Sequence, residues 1–296
     1  MKILFMGTPD YAEIILKTLI KKYKVVGVYT QPDKPVGRKK IITSPPVKVL
    51  AQKHNIEVFQ PKNLKNEVEN IKKLNPDFIV VAAFGMILPK DILDIAPCIN
   101  LHASLLSKYR GASPIQSAIL NGDRFSGITA MKMDIGLDTG DILAYEYCEI
   151  ANKTAPELFD ELARIASNLT PFVIDNYQNI EPLKQINAIA TYSPKIKKED
   201  GEISFDEAKK IYRKYLAFYY WPGIFTKKFK LKKINFIDEN SSNVAGEILE
   251  MKTESIIVGC EKGSIEIFEI QPHSKKTMNI IAYLNGRGLK IGDNLL

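Results

Sequence analysis

Short apolar runs alternate with amphipathic stretches through the first half of this chain, and that alternation constrains the fold more than any other feature. Residues 3–6 are apolar without interruption, as in a strand covered on both faces. Ile14, Ile15, Thr18 and Leu19 then recur at helical spacing within residues 10–22, and residues 25–29 read as a second strand. Further strands are expected at 78–83, 99–102 and 128–133, with helices near 46–54, 64–74 and 114–120. Such alternation builds βαβ units around a parallel sheet. The expected class is therefore α/β, a doubly wound, mostly parallel Rossmann-like sheet whose ligands bind at the carboxyl ends of strands.

The pattern changes in the second half. Residues 157–177 are helical in period, whereas 186–201 carry Pro194 and a mixed charge run without clear periodicity, and read as a linker. Beyond them, residues 255–260 and 264–270 set β-branched residues between Gly246, Gly259 and Gly263, the pattern of short strands in a smaller C-terminal OB-like β-barrel. A chain of 296 residues has room for two domains. The expected division is 1–187, a linker at 188–204, and 205–296.

Composition excludes several classes. Hydrophobic residues at 45% and charged ones at 25% rule out disordered and fibrous chains. Three cysteines without a CxxC pair argue against a disulfide framework and a thiolate zinc site. No metal is expected, and the compartment is expected to be reducing. No apolar run reaches the roughly 18 to 20 residues that span a bilayer, and Thr8, Pro9 and Asp10 break the N-terminal run too early for a signal-peptide core. The expected location is cytoplasmic.

The turn Gly7-Thr8-Pro9-Asp10 lacks GxGxxG, and Pro9 removes a donor that a phosphate cradle would use. It reads as a tight strand-to-helix turn with Thr8 or Asp10 near the cap. Asn100-Leu101-His102 ends a predicted strand. Side chains alternate along a strand, so Asn100 and His102 share a face where an open α/β sheet has its ligand crevice. A hydrogen-bonded structural histidine is the plain alternative. Ser104, Arg110 and Gly111 follow, and residues 134–141 place Asp134, Asp138 and Asp141 among glycines, where turn acids are ordinarily solvated. A carboxylate beside His102 would hold its tautomer and favour the imidazolium. An amide, an imidazole and a carboxylate form a set for acyl transfer. GxSxG, HExxH and a cysteine in a charged setting are all absent, so nothing supports a covalent intermediate.

INLHASLL at 99–106, YRGASPIQ at 109–116 and MDIGLDTGDIL at 133–143 resemble the signature of the formyltransferases that use 10-formyltetrahydrofolate. FMGTPDYA at 5–12, QPDKPVGRKK at 31–40, YYWPGIFT at 219–226, EIQPHSKKTM at 269–278 and AYLNGRGLKIGD at 282–293 are similar to the branch acting on methionine esterified to initiator tRNA. The resemblance implies that Asn100, His102 and Asp138 are catalytic. It implies folate contacts at Ser104, Leu105, Leu106 and Ser107, and a pterin-binding wall including Phe84, Gly85, Ile87 and Leu88. Ser107 replaces the family's usual proline, which leaves the loop backbone less constrained. Ser274 stands where a glycine is usual. The cosubstrate implied is 10-formyltetrahydrofolate, the partner initiator methionyl-tRNA, and 1–187 becomes the catalytic domain. A formyltransferase acting on an amino-sugar nucleotide, a formyltetrahydrofolate hydrolase, and a non-catalytic RNA-binding protein are the alternatives.

Charge supports an RNA partner separately. The chain carries +7, and residues 209–233 hold nine basic residues and no acid, interleaved with aromatics from Tyr212 to Phe229. Basic groups can neutralise phosphates while aromatics stack on bases or fill a core. The tRNA contacts expected there are Lys209, Lys210, Arg213 and Lys214, with a second set at Lys34, Arg38, Lys39 and Lys40. The plain reading of that second set is a solvated loop.

Overall fold

A computed structural model of the chain describes every residue except Arg38 and Ala151. Strand β1 (Lys2–Gly7), helix α1 (Asp10–Lys22) and strand β2 (Lys24–Tyr29) fall where the apolar pattern places them. The segment after them, read from sequence as a basic loop, forms a hairpin of β3 (Lys34–Val36) and β4 (Ile41–Thr43). Then come α2 (Pro46–Lys53), β5 (Val58–Phe59), α3 (Val68–Leu74), β6 (Phe78–Ala82), α4 (Lys90–Leu93) and β7 (Cys98–His102). The short β8 (Arg110–Gly111), α5 (Pro114–Asn121), β9 (Phe125–Lys132), β10 (Ile142–Glu149) and α6 (Ala155–Asn176) follow. Strand β10 is not among the expected strands, because exposed Tyr145, Glu146 and Tyr147 break its alternation.

The main sheet has the order β10-β9-β7-β6-β1-β2-β5. Its five strands from β7 to β5 are parallel, and β9 runs antiparallel to both β7 and β10. The chain winds outward from β1 through β2 to β5, then returns to β6 on the other side of β1. Strand order therefore reverses between β1 and β6, the switch point beyond whose carboxyl ends open α/β sheets bind their ligands. Close approach there requires Gly7, because a Cβ would meet the Cβ of Ala12 at 2.6 Å and the carbonyl of Ala82 at 2.9 Å. The expected side-chain cap does not form. Pro9 is the N-cap of α1, its carbonyl accepts the N–H groups of Ala12 and Glu13, and the Thr8 hydroxyl donates instead to the Phe84 carbonyl at 3.3 Å. One face of the sheet packs Leu4, Met6, Tyr29, Ile79 and Val81 against Leu64, Ile71, Phe84, Leu88 and Ile92. Burying each large apolar side chain contributes about 1.5–3 kcal/mol.

The chain forms two units, one of Met1–Pro114, Phe125–Glu149 and Leu158–Pro194, the other of Ile115–Arg124, Ile150–Glu157 and Lys195–Leu296. In the first unit, β11 (Tyr192–Ser193) pairs in parallel with β8. It lies in the stretch that lacks periodicity, and two residues are too few for an alternation to register.

The second unit contains α7 (Ala208–Ala217), β12 (Ile224–Phe225), β13 (Phe229–Asp238), β14 (Ile248–Met251), β15 (Ile256–Gly259), β16 (Ser264–Pro272), β17 (Met278–Asn279) and α8 (Ile280–Asn285). Its antiparallel sheet runs β12-β13-β16-β15-β14, with β17 on β16. Helix α7 buries Ala208, Ile211, Leu216 and Ala217, the amphipathic face that its spacing predicts.

All three cysteines are free and buried, and burial pushes the thiols of Cys98 and Cys260 up to about 12. Neither is a thiolate at neutral pH. Among the described residues, no helix is long and apolar enough to cross a membrane, and no cluster of three or more His, Cys, Asp or Glu could hold a metal ion.

Candidate active site

Strand β7 is next to β6 and ends at His102, so Asn100 and His102 reach the carboxyl edge of the sheet together. Asp138 comes from the turn after β9. Its Oδ1 accepts from Asn100 Nδ2 at 3.4 Å, and its Oδ2 lies 3.7 Å from His102 Nδ1. The three side chains singled out from sequence therefore meet at one point. A carboxylate only accepts, so its contact orients the Asn100 amide with the nitrogen inward.

His102 is only 6% exposed, and its Nε2–H donates to the Tyr109 carbonyl at 2.9 Å. That bond fixes the ring and leaves Nδ1 as the nitrogen facing Asp138. Both ring nitrogens then face oxygen atoms, Nε2 the Tyr109 carbonyl and Nδ1 the Asp138 carboxylate. The Gly111 N–H donates to Asp138 Oδ2 at 2.8 Å, which holds the carboxylate from the other side. Gly111 is obligatory at φ +116°, and a Cβ there would meet the Ser193 carbonyl at 2.6 Å.

Three residues at the site hold left-handed backbone. Ala83, Tyr109 and Asp138 all have positive φ, at 45°, 59° and 52°. Non-glycine residues persist in that region only where their surroundings over-determine it, and such residues cluster at functional sites.

The expected folate contacts divide by exposure. Phe84 and Leu88 are buried in the core, whereas Gly85 is exposed and Ile87 is 80% exposed. Contact with a ligand there would fall to the backbone and to Ile87. At 104–107, Ser104 and Ser107 are buried and Leu105 and Leu106 are half-buried. The loop lacks the proline but is fastened by hydrogen bonds. The Thr129 hydroxyl donates to the Ser104 carbonyl at 2.7 Å and accepts the Leu106 N–H at 3.0 Å, while Ser104 Oγ donates to the Lys108 carbonyl at 2.6 Å.

Segment 183–193 is the part of the site that sequence reasoning missed. The Thr191 carbonyl accepts the Arg110 N–H at 2.9 Å, the Thr191 hydroxyl accepts the Tyr109 N–H at 2.9 Å, and Ser193 Oγ bridges the carbonyls of Tyr109 and Arg110. Gln185 binds the Asp138 turn and the Arg110 side chain. Nothing in its local pattern marks this stretch, because its partners in the site lie 41 to 84 residues away.

The expected tRNA contacts are scattered. Lys34, Lys39 and Lys40 are exposed at the β3–β4 hairpin, beside exposed Val36, Ile41 and Ile42; the contact expected at Arg38 lies outside the described residues. On α7, Lys209 pairs with Glu239, Lys210 with Glu207 at 2.8 Å, and Lys214 donates to the Glu202 carbonyl at 2.9 Å. Arg213 lies over Gly122 and donates to the Asn121 carbonyl at 3.4 Å.

Two family models match the chain, Formyl transferase over residues 1–174 and Formyl transferase, C-terminal domain over residues 195–288. Among curated relatives, the methionyl-tRNA formyltransferase of a Nitratiruptor species is 54% identical over 299 residues, covering 99% of each chain. That of Campylobacter lari is 52% identical over the same length and coverage. Among solved structures, methionyl-tRNA formyltransferase from Clostridium thermocellum aligns with a TM-score of 0.57 at 25% identity, over 88% of this chain and 100% of that one. HypX from Aquifex aeolicus shares the fold at a TM-score of 0.64 and 17% identity; the alignment covers 99% of this chain but 48% of that longer protein.

Proposed function

This chain belongs to the methionyl-tRNA formyltransferase family, and we propose that Asn100, His102 and Asp138 carry out its formyl transfer from 10-formyltetrahydrofolate to the α-amino group of methionine on initiator tRNA. The meeting of amide, imidazole and carboxylate at the end of β7 is the observation that carries this reading.

The amine lone pair forms the new C–N bond to the formyl carbon, and the carbonyl electron pair moves onto oxygen. The Asn100 amide N–H and the His102 Nδ1–H stabilise that oxyanion, as preorganised donors do most effectively in a buried site. Asp138 orients His102 and takes a proton from the attacking amine. The oxyanion then collapses, the bond to the folate N10 breaks, and that nitrogen takes up the proton. The products are formylmethionyl-tRNA and tetrahydrofolate.

A folate donor suits the turn at 83–88. A Cβ at Gly85 would have only the Gln31 amide within 4 Å, at 3.7 Å, so a flat ring can approach its backbone beside exposed Ile87. The HypX structure from Aquifex aeolicus, of the same fold, was solved with tetrahydrofolic acid. We assign the chemistry to residues 1–187, and tRNA capture to residues 205–296 together with Lys34, Lys39 and Lys40. The reaction belongs in the cytoplasm, where charged initiator tRNA is found.

Incubation with 10-formyltetrahydrofolate and methionyl initiator tRNA, followed by acid gel analysis of the aminoacyl group, tests the proposal. Formylated methionyl-tRNA is the expected product. Formylation of an amino-sugar nucleotide in its place, or release of formate alone, would overturn it.

A further inference from the structure

We propose that Gln185 is a positioning residue that sets Asp138 for the reaction, and that Arg110 holds the Gln185 amide in the one orientation able to do so. The proposal rests on the reading that Asp138 acts in formyl transfer. Gln185 Nε2 donates to the carbonyls of Asp138 and Gly140, both at 2.8 Å. Its Oε1 accepts from Arg110 Nε at 3.0 Å and Nη2 at 2.8 Å. Guanidinium groups only donate and backbone carbonyls only accept, so the amide fits one way round. Arg110 is 2% exposed, and its remaining bond in this group is to Asn187 Oδ1 at 2.9 Å. A buried guanidinium without such acceptors would be strongly unfavourable.

Asp138 needs this support. It sits at φ +52°, a left-handed conformation uncommon for residues other than glycine, so the turn has to be held for the carboxylate to keep its aim. Gly136 and Gly140 permit a tight turn around it without selecting one. Gln185 grips the carbonyls on both sides of Thr139, and Leu183 and Ile142 exchange backbone hydrogen bonds, both at 2.8 Å, just beyond. Arg110 and its neighbour thus reach Asp138 twice. The Gly111 N–H holds the carboxylate, and the Arg110 side chain holds the main chain through Gln185. Gln185 bonds Asp138 through main-chain atoms only, so its effect on the reaction passes through geometry.

Steady-state kinetics of the full chain with 10-formyltetrahydrofolate and methionyl-tRNA provides the test, using Gln185→Ala, Asp138→Asn and the double variant. Gln185→Ala is expected to lower kcat by about 10- to 100-fold with both KM values unchanged within about twofold, because slight misplacement of a reacting group is enough for losses of that size. In the Asp138→Asn background the same substitution should change kcat by less than about twofold, the non-additivity of groups acting as one unit. Should Gln185→Ala fail to fold by thermal denaturation, Gln185→Glu replaces it. Glutamate keeps the volume and the Arg110 partner but turns an oxygen on the two carbonyls, so kcat should again fall. A kcat near wild type in the folded variant, a loss confined to KM, or an equal loss in both backgrounds would overturn the inference. Full activity of Asp138→Asn would instead overturn the reading of Asp138 on which it rests.

Discussion

At the end of β7, three polar side chains drawn from segments 38 residues apart converge, Asp138 accepting a hydrogen bond from Asn100 and lying 3.7 Å from His102. Along residues 209–233, nine basic side chains adjacent in sequence separate into two groups. Those on α7 are held locally: Lys209 and Lys210 pair with glutamates, and Arg213 and Lys214 donate to backbone carbonyls. On the β12–β13 hairpin, Lys227, Lys228 and Lys232 are exposed and have no ion pair among the described residues, while Lys230 donates to the Pro222 carbonyl and Lys233 lies over the Phe268 ring. The contrast teaches that a charge run reports composition, whereas availability of each charge is set by its neighbours in space. Polyanion contacts are therefore expected on the hairpin more than on the helix.

Removing the centre of the first region should have the largest effect. His102→Ala is expected to lower kcat by about 1,000-fold, the upper end of the range for loss of an oxyanion donor. Circular dichroism should show the fold retained, because the ring's polar partners are a single backbone carbonyl, of Tyr109, and Asp138 at the strand's end. Asp138→Asn should lower kcat by about 100-fold. Its side-chain oxygen can still accept the Gly111 N–H, so the variant isolates the charge from the turn that carries it.

The second region should respond in KM. Changing Lys227, Lys228 and Lys232 together to alanine is expected to raise the KM for tRNA by about tenfold and to flatten its salt dependence, since phosphate contacts release counterions. Changing Lys209 and Lys210 should alter KM by less than about twofold, because exposed, locally paired charges contribute little. A salt series with both variants checks the comparison, and a larger effect from the helix would reverse it.

The smallest effect is a pH-dependent one at the base of the β3–β4 hairpin. Hydrogen bonds from the Lys48 ammonium, the Gln60 amide and the Ser44 hydroxyl hold the Asp33 carboxyl below its ordinary range. A lowered folded value means that the bonds add stability at neutral pH and lose that contribution as pH falls through the folded value. Lys48→Ala should therefore be slightly less stable than wild type in urea near pH 7, and the gap should narrow in acid.

Most of the parallel sheet was legible because its strands are long enough to leave apolar runs, and its helices long enough to show a 3.6-residue period. The pairing of Asn100 with His102 was legible from strand alternation alone. Asp138 was visible as one of three acids in a glycine-rich turn, and the family resemblance chose among them. Tertiary geometry separates Asp134 from Asp138 further. Its Oδ1 accepts from the Gly136 N–H and the Thr139 hydroxyl within its own turn.

By itself the sequence determined the α/β class, the short-strand character of the C-terminal half, the family, and the strand that carries Asn100 and His102. Periodicity and local motifs encode these directly, since each depends on residues close together in the chain. Tertiary structure alone decided that Gln185, Thr191 and Ser193 return to fasten Tyr109, Arg110 and the Asp138 turn, and that the cations of α7 are already engaged. Such bonds join residues tens of positions apart through single polar atoms, and an isolated glutamine or threonine carries no period from which its partner could be read.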